Sequence, residues 1–257
     1  PDELTAPEAE LFHFADTETG DYAVQPHLDY AHAYLADLPS KLTATGVGRG
    51  YRADEAAEQT PPPRREVQLR APLFEQSERK LTPAEIGTAH HLFMQFCDFD
   101  KASAPDGVEN ELKRLADKRI LSAEQADAVD KRKIERFFAS DLYRRLMAEN
   151  KVRREFKFSV LVPAKEYFPV AEDAPEENVL LQGVIDCLIE TPEGFVVLDF
   201  KTDRIKKGGE DERAEKYRPQ LAAYARAVQE IYGKPVRDCV LYFFHTGGTK
   251  WVPLDTE

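Results

Sequence analysis

The period of the hydrophobic positions changes near residue 150, dividing the chain into a helical stretch and a strand-rich one. The helical period opens at Thr82-Pro83-Ala84-Glu85, with threonine as N-cap, proline at the first helical position and glutamate at the third. Ile86, Ala89, Phe93, Phe96 and Cys97 then share one apolar face, which predicts a helix to about Asp98. Residues 107–149 are helical in composition, restart at Ser122-Ala123-Glu124-Gln125, and read as two or three helices ending near Asn150. From Glu155 to Pro163 the pattern alternates: Phe156, Phe158, Val160 and Val162 point one way, and Glu155, Lys157 and Ser159 the other. Two apolar runs, Val179–Glu190 and Phe195–Thr202, are joined by the turn sequence Thr191-Pro192-Glu193-Gly194. Leu221, Ala225, Val228 and Tyr232 mark a helix from about Pro219, stopped by Gly233, and a last strand pair is expected over Arg237–His245 and Thr249–Leu254. Helices, three strands, a helix and two strands make an α/β fold, a mixed sheet flanked by helices.

Ahead of this pattern the chain is different. Residues 1–25 are acidic, 26–38 suit a short helix, and Lys41–Arg65, with three glycines and Pro61-Pro62-Pro63, reads as loop and linker. The charge is divided the same way. The whole chain has a net charge of −12, of which residues 1–60 carry −9 from 12 acidic and 3 basic side chains. The remainder is nearly neutral, so the acidic total does not exclude a local nucleic-acid groove. At 257 residues the chain makes one large domain or two small ones. It contains no run near the roughly eighteen apolar residues of a membrane span, and no membrane partner is expected. It begins Pro-Asp-Glu-Leu with no basic-then-apolar leader, which reads as a piece of something longer without a signal peptide. Cys97, Cys187 and Cys239 are far apart and form no CxxC, which argues against a disulfide scaffold or a four-cysteine zinc or iron–sulfur site and fits a reducing cytoplasm. Neither Gly46-Val47-Gly48-Arg49-Gly50 nor Gly247-Gly248-Thr249-Lys250 has phosphate-loop spacing, so no ATP site is expected here, and the second reads as a hairpin turn.

The candidate chemistry lies in Gly183-Val184-Ile185-Asp186 and Leu198-Asp199-Phe200-Lys201. If the hairpin closes with Thr191 opposite Gly194, Asp186 falls opposite Asp199, and like charges so placed destabilise a sheet. Lys201, two residues beyond Asp199, emerges on the same face. An Asp-x-Lys alone is a common surface pattern. Here the neighbours on both strands are apolar and the register pairs the two aspartates, which suits a divalent cation compensating the charge.

These residues resemble the catalytic core of the PD-(D/E)XK nucleases. Further motifs resemble that superfamily's RecB-like branch: Gly87-Thr88-Ala89-His90-His91 its GTxxH, Arg154-Glu155-Phe156 the strand with an additional acidic residue, and Gln220-Leu221-Ala222-Ala223-Tyr224 its QxxxY. Leu38–Thr43, Tyr51–Glu58 and Leu81–Thr88 look like the nuclease domains of bacterial ATP-dependent helicase–nucleases that process DNA breaks for recombination. The resemblance implies His91, Asp186, Asp199 and the backbone carbonyl of Phe200 as metal ligands, with Mg2+ in place and Mn2+ or Ca2+ able to take the same site. It implies Lys201 as the catalytic lysine and roles at the site for Glu155, Gln220 and Tyr224. The partners it implies are unwound or single-stranded DNA, the helicase portion of a parent chain and a second helicase–nuclease subunit. The organisation expected is an acidic N-terminal segment over 1–65 and a nuclease domain over 66–257, with a helical block at 82–150 and a catalytic core at 151–257. On the helical wheel His90 lies at the edge of the apolar stripe and His91 on the polar side, near Gly87 and Gln95. Two other readings remain: a catalytically silent nuclease-like module for DNA or subunit contact, which intact Asp186, Asp199 and Lys201 argue against, and an acidic helical interaction module.

Overall fold

The computed structural model describes residues 38–47, 81–168, 177–206 and 208–253. The acidic segment 1–25, the helix expected over 26–38 except for Leu38, and most of the 41–65 linker lie outside them. Helix α1 spans Pro83–Phe96, and both halves of its capping box form: Thr82 accepts from the Glu85 amide, and Glu85 accepts from the Thr82 amide at 2.8 Å. Its buried face is turned from the expected one, since Met94 is buried and Phe96 is 42% exposed. A short helix, α2 (Phe99–Ala102), precedes the stretch read as two or three helices, and within 107–149 three form as expected, α3 (Gly107–Asp117), α4 (Ala123–Ala128) and α5 (Lys131–Phe138), followed by a π-helical turn at Tyr143–Met147. The breaks fall where Asp98, Ser122 and Asp130 cap the following helices with their side chains, and where Asp106 and Arg119 take φ of 56° and 57°.

Five strands follow the expected order with small changes of boundary: β2 (Lys151–Pro163), β3 (Asn178–Thr191), β4 (Gly194–Lys201), β5 (Val236–Phe243) and β6 (Gly248–Val252). A sixth, β1 (Lys41–Thr43), lies inside the stretch expected as loop and pairs parallel with Leu180–Gln182 of β3. Helix α6 runs Glu210–Tyr232 and so begins well before Pro219, which sits inside it at the loss of one backbone hydrogen bond. Glu210, Asp211 and Glu212 fill its first turn, where acidic side chains suit the helix dipole.

β2 occupies one edge of β3 along nearly its whole length, so β1 and β4 share the other, β1 along residues 180–182 and β4 along 187–191. β4 continues parallel to β5, through the α6 crossover, and β5 turns antiparallel into β6. Among the described residues no helix is long and apolar enough to cross a membrane. Cys97, Cys187 and Cys239 are all buried and unbridged.

The sheet separates two cores. Val196, Leu198, Phe200, Val240 and Tyr242 pack against the helical block, while Phe195, Val197, Leu241 and Phe243 pack against α6. Phe137 of α5 ties the block down, its ring 5.2 Å from Phe200 and 4.9 Å from Tyr242. Along β3 the alternation changes phase. Val179, Leu181 and Ile185 lie in the α6 core, and beyond Asp186 it is Cys187 and Ile189 that turn to the helical block. Opposite the change, Glu155 of β2 has a φ of 49°, a left-handed conformation that interrupts the pleat.

Gly183 connects this stretch to α6. It pairs with Phe158 across β2 and β3, and a Cβ there would lie 2.5 Å from the Phe158 ring. That ring meets Tyr224 of α6 edge-on at 5.9 Å. Gly183→Ala should therefore cost about 1–3 kcal/mol of stability, the scale of overpacking a core. Chemical denaturation measures it, and an unchanged midpoint would mean that the ring can move aside freely.

Candidate active site

On β4 the side chains alternate, and with Val196, Leu198 and Phe200 turned to the helical block, Asp199 and Lys201 fall on the α6 side. There α6 presents Gln220 and Tyr224, one turn apart. The Lys201 ammonium lies 2.6 Å from Asp199 Oδ2 and donates to Gln220 Oε1 at 3.1 Å. Gln220 Nε2 donates to the Tyr224 hydroxyl at 2.6 Å and reaches Asp199 Oδ1 at 3.5 Å. Gln220 thus spans both charged groups from a buried position.

Asp199 is only 3% exposed. Burial pushes its pKa up to about 6; Lys201 opposes this, while Asp186 adds to it. Its Oδ2 is buried without a hydrogen bond, because the close Lys201 contact is an ion pair lacking hydrogen-bond geometry.

The hairpin register is as expected over five pairs, from Thr191–Gly194 to Cys187–Leu198. The regular ladder ends there, one step before Asp186 and Asp199. The Asp186 carboxylate has replaced the next ladder bond, accepting the Phe200 amide at 2.7 Å. The Lys201 carbonyl accepts from Phe244 on the β5 side, so by alternation the backbone of Phe200, carbonyl included, faces β3 and Asp186.

His91 projects from α1 with Nδ1 3.6 Å from Asp186 Oδ2. Burial lowers its pKa, but Asp186 first and then Asp199 outweigh this, and the net shift is upward. Gly87, one turn earlier, allows the approach: a Cβ there would lie 2.8 Å from Thr202 Oγ1, so a larger residue would push α1 off the end of β4. His90 is buried and structural. Its Nδ1 donates to the Ile86 carbonyl at 2.9 Å, and its Nε2 accepts from the Asp130 amide at 3.3 Å. Glu155 lies between the pairs Arg154–Cys187 and Phe156–Ile185, hence across from Asp186. Burial, and then the charge of Asp186, raise its pKa.

His91, Asp186, the Phe200 backbone and Glu155 therefore gather around one point of β3, and Asp199, Lys201, Gln220 and Tyr224 around the adjoining end of β4. Among the described residues no three His, Cys, Asp or Glu side chains converge as a closed metal site. The chemistry of the donors nonetheless fits a hard divalent cation: carboxylate oxygens, an imidazole nitrogen, a strand carbonyl, and a buried carboxylate oxygen without a hydrogen bond.

One neighbour of the site escaped sequence reasoning. Lys201 Nζ stands 3.8 Å from the centre of the Tyr217 ring. The Tyr217 hydroxyl donates to Asp203, and Arg213 Nε lies 3.5 Å from the same carboxylate. The available signal was spacing, since Tyr217 lies three residues before Gln220 and seven before Tyr224, on one stripe of the helix.

A six-stranded mixed sheet with helices on both faces, and an acid-x-lysine strand end beside a second aspartate, define a nuclease class. The chain belongs to the PD-(D/E)XK nuclease superfamily, whose family model matches residues 64–251. It is similar to the A subunit of the ATP-dependent helicase/nuclease of Desulforamulus reducens, at 40% identity over 85% of this chain and 17% of the relative. The proteins of that description from Desulforudis audaxviator and Moorella thermoacetica are 38% and 40% identical over 86% and 85% of the chain, and 18% and 15% of their own lengths. The chain thus spans less than a fifth of these relatives.

Because folding raises the pKa of Asp199, its contribution to stability is complete only below the unfolded value near 3.8 and is lost as pH rises through about 6. Asp199→Asn should therefore stabilise the metal-free chain at pH 8, on the order of 1–2 kcal/mol after the loss of the Lys201 pair. The gain should fade by pH 4, and the thermal shift given by Mn2+ should shrink. Melting curves at both pH values test this; a variant less stable than wild type at pH 8 would refute the account.

Proposed function

We propose that this chain is the divalent-metal-dependent DNA exonuclease domain of a helicase–nuclease, hydrolysing phosphodiester bonds of the unwound strand in double-strand-break processing and recombinational repair. The observation that carries this is the buried Asp199–Lys201–Gln220 arrangement beside Asp186 and His91. The metal would be held by Asp186, Asp199, His91 and the Phe200 carbonyl, with Mg2+ as the working ion. When bound, it supplies Lewis-acid charge to the phosphoryl group and lowers the pKa of water. Lys201, a mobile point charge with three donors, orients the attacking water or neutralises charge developing on the phosphate. Gln220 holds that ammonium in place, with Tyr224 behind it, and Glu155 adds a further carboxylate beside Asp186. The helicase portion of a longer chain and a second subunit would deliver the strand.

Divalent-dependent degradation of a labelled single strand, by this chain and by the full-length protein, tests the reading. Lys201→Ala should lower the rate by about 10²–10³, the scale for removing one electrostatic donor, while Mn2+ affinity changes little. Hydrolysis at the wild-type rate would remove Lys201 from the mechanism.

Charge also bears on binding. With most of the net −12 in residues 1–60, the rest has no large basic field. Single-strand binding by the chain alone should be weak and its salt dependence shallow, with a log–log slope of about −0.7 per phosphate contact. Fluorescence titrations in Ca2+ across a salt series measure it; tight, steeply salt-dependent binding would contradict the charge argument.

A further inference from the structure

Past Lys201 the chain leaves β4 as Thr202, Asp203 and Arg204, which form one wall of a groove of about 390 Å3. This volume lies within the range of about 300–1,000 Å3 typical of small-ligand sites. The opposite wall is the first turns of α1, and α5 and the end of β5 close the groove with Lys133 and His245. The groove adjoins the candidate centre on two elements at once. Thr202 directly follows Lys201, and Gly87, also in the wall, is one helical turn before His91.

The charge left facing this groove is positive. Asp203 is committed to the Tyr217 hydroxyl and to Arg213. Asp130, beside the groove, is committed to Lys133, through its backbone amide and through an ion pair at 3.3 Å. The amides of the first turn of α1 contribute little, because the Thr82–Glu85 box already caps them. Arg204 is exposed and has no hydrogen bond or ion pair among the described residues. Ile86 and Phe244 line the groove with apolar surface. An apolar lining and an unpaired guanidinium match a nucleotide: sugar and base on the lining, phosphate at the arginine.

Resting on the nuclease reading, we propose that this groove holds the nucleotide next to the scissile phosphodiester, with Arg204 pairing the adjacent, uncleaved phosphate. The groove sets which bond of the strand lies at Lys201. Its contribution is to substrate binding, so it appears in KM and leaves kcat alone.

The test is a cycle between protein and substrate. Single-stranded oligonucleotides carry one uncharged methylphosphonate link at each position flanking the cleaved bond in turn, and are cleaved by wild type and by Arg204→Ala. Arg204 is exposed, so the substitution should leave the melting temperature unchanged. With fully charged substrate, Arg204→Ala should raise KM about tenfold at constant kcat, the scale of one hydrogen bond to a charged group. In wild type one flanking methylphosphonate should cost a similar factor, and Arg204→Ala should abolish the penalty at that position alone. Penalties at every position equal in variant and wild type would overturn the groove assignment while leaving the nuclease reading intact. Failure of wild type to cleave any of these substrates, as this chain and within the full-length protein, would overturn the nuclease reading itself.

Discussion

Asp199 and Lys201 form an ion pair in a place where neither charge is well solvated, and much of the structure follows from holding it. An ionised carboxylate on a central strand is costly unless paired and hydrogen-bonded. Lys201 at 2.6 Å supplies the opposite charge, but burial still leaves the Asp199 proton bound more tightly than in water. The remaining support comes from α6. Gln220 can bridge the pair only if the helix lies at one depth on the sheet, and Leu221, Ala227 and Val228, all buried, set that depth. Tyr224 carries the constraint on to Phe158 and so to Gly183, where the missing side chain makes room for the ring. A core contact between β2 and β3 thereby bears on the position of the lysine.

The second constraint is the interruption of β2 and β3. A regular antiparallel ladder would have satisfied Phe200 through backbone bonds and left Asp186 on a face. With Glu155 in a left-handed conformation and the pleat changing phase, Asp186 instead turns along the strand edge and takes the Phe200 amide. Backbone strain of this kind costs on the order of 1–3 kcal/mol and persists where surrounding structure enforces it. Here twelve residue pairs between β2 and β3 flank the irregularity on both sides. The same geometry brings the Phe200 carbonyl and the Asp186 carboxylate to one edge, with His91 arriving from α1 because Gly87 lets that helix approach.

Features encoded over a few neighbouring residues were legible in the sequence. The Thr82 box, the alternation of β2, the turn at 191–194 and the stripe from Leu221 to Tyr232 need only local periodicity and turn chemistry, and they stand where expected, although α6 begins earlier than its stripe. Features decided by distant contacts were not. β1 has three residues, too few to show alternation, and exists because the free edge of β3 accepts it. Phe96 falls on the apolar stripe of α1, yet the packing buries Met94 instead. Asp130 is compatible with helical composition, and only its capping bond reveals it as a break. At the site, the hairpin register brings Asp186 and Asp199 together, but no local pattern encodes the side chain that replaces the next ladder bond or the Tyr217 ring beneath Lys201.

These costs bear on whether the site cleaves or only binds. A module that merely contacts DNA or a partner gains nothing from a buried aspartate whose proton is held up to about 6, from two more acids nearby, or from a residue at φ 49°. Two of these could each be relieved by one substitution: an asparagine at 199 and a glycine at 155. Stability would rise, and contact surfaces elsewhere would be unaffected. Strain that is so easily removed and yet present points to a use that needs both carboxylates ionised beside a fixed ammonium. Recruitment of a cation and electrostatic work on a phosphoryl group is such a use, whereas surface recognition needs none of it. The nearly neutral charge beyond residue 60 agrees, since a binding module for nucleic acid would carry its affinity in an excess of basic side chains. On the proposed reading, a cleaving domain supplied with its strand by a tethered motor would gain effective concentration from the tether and could keep its acids.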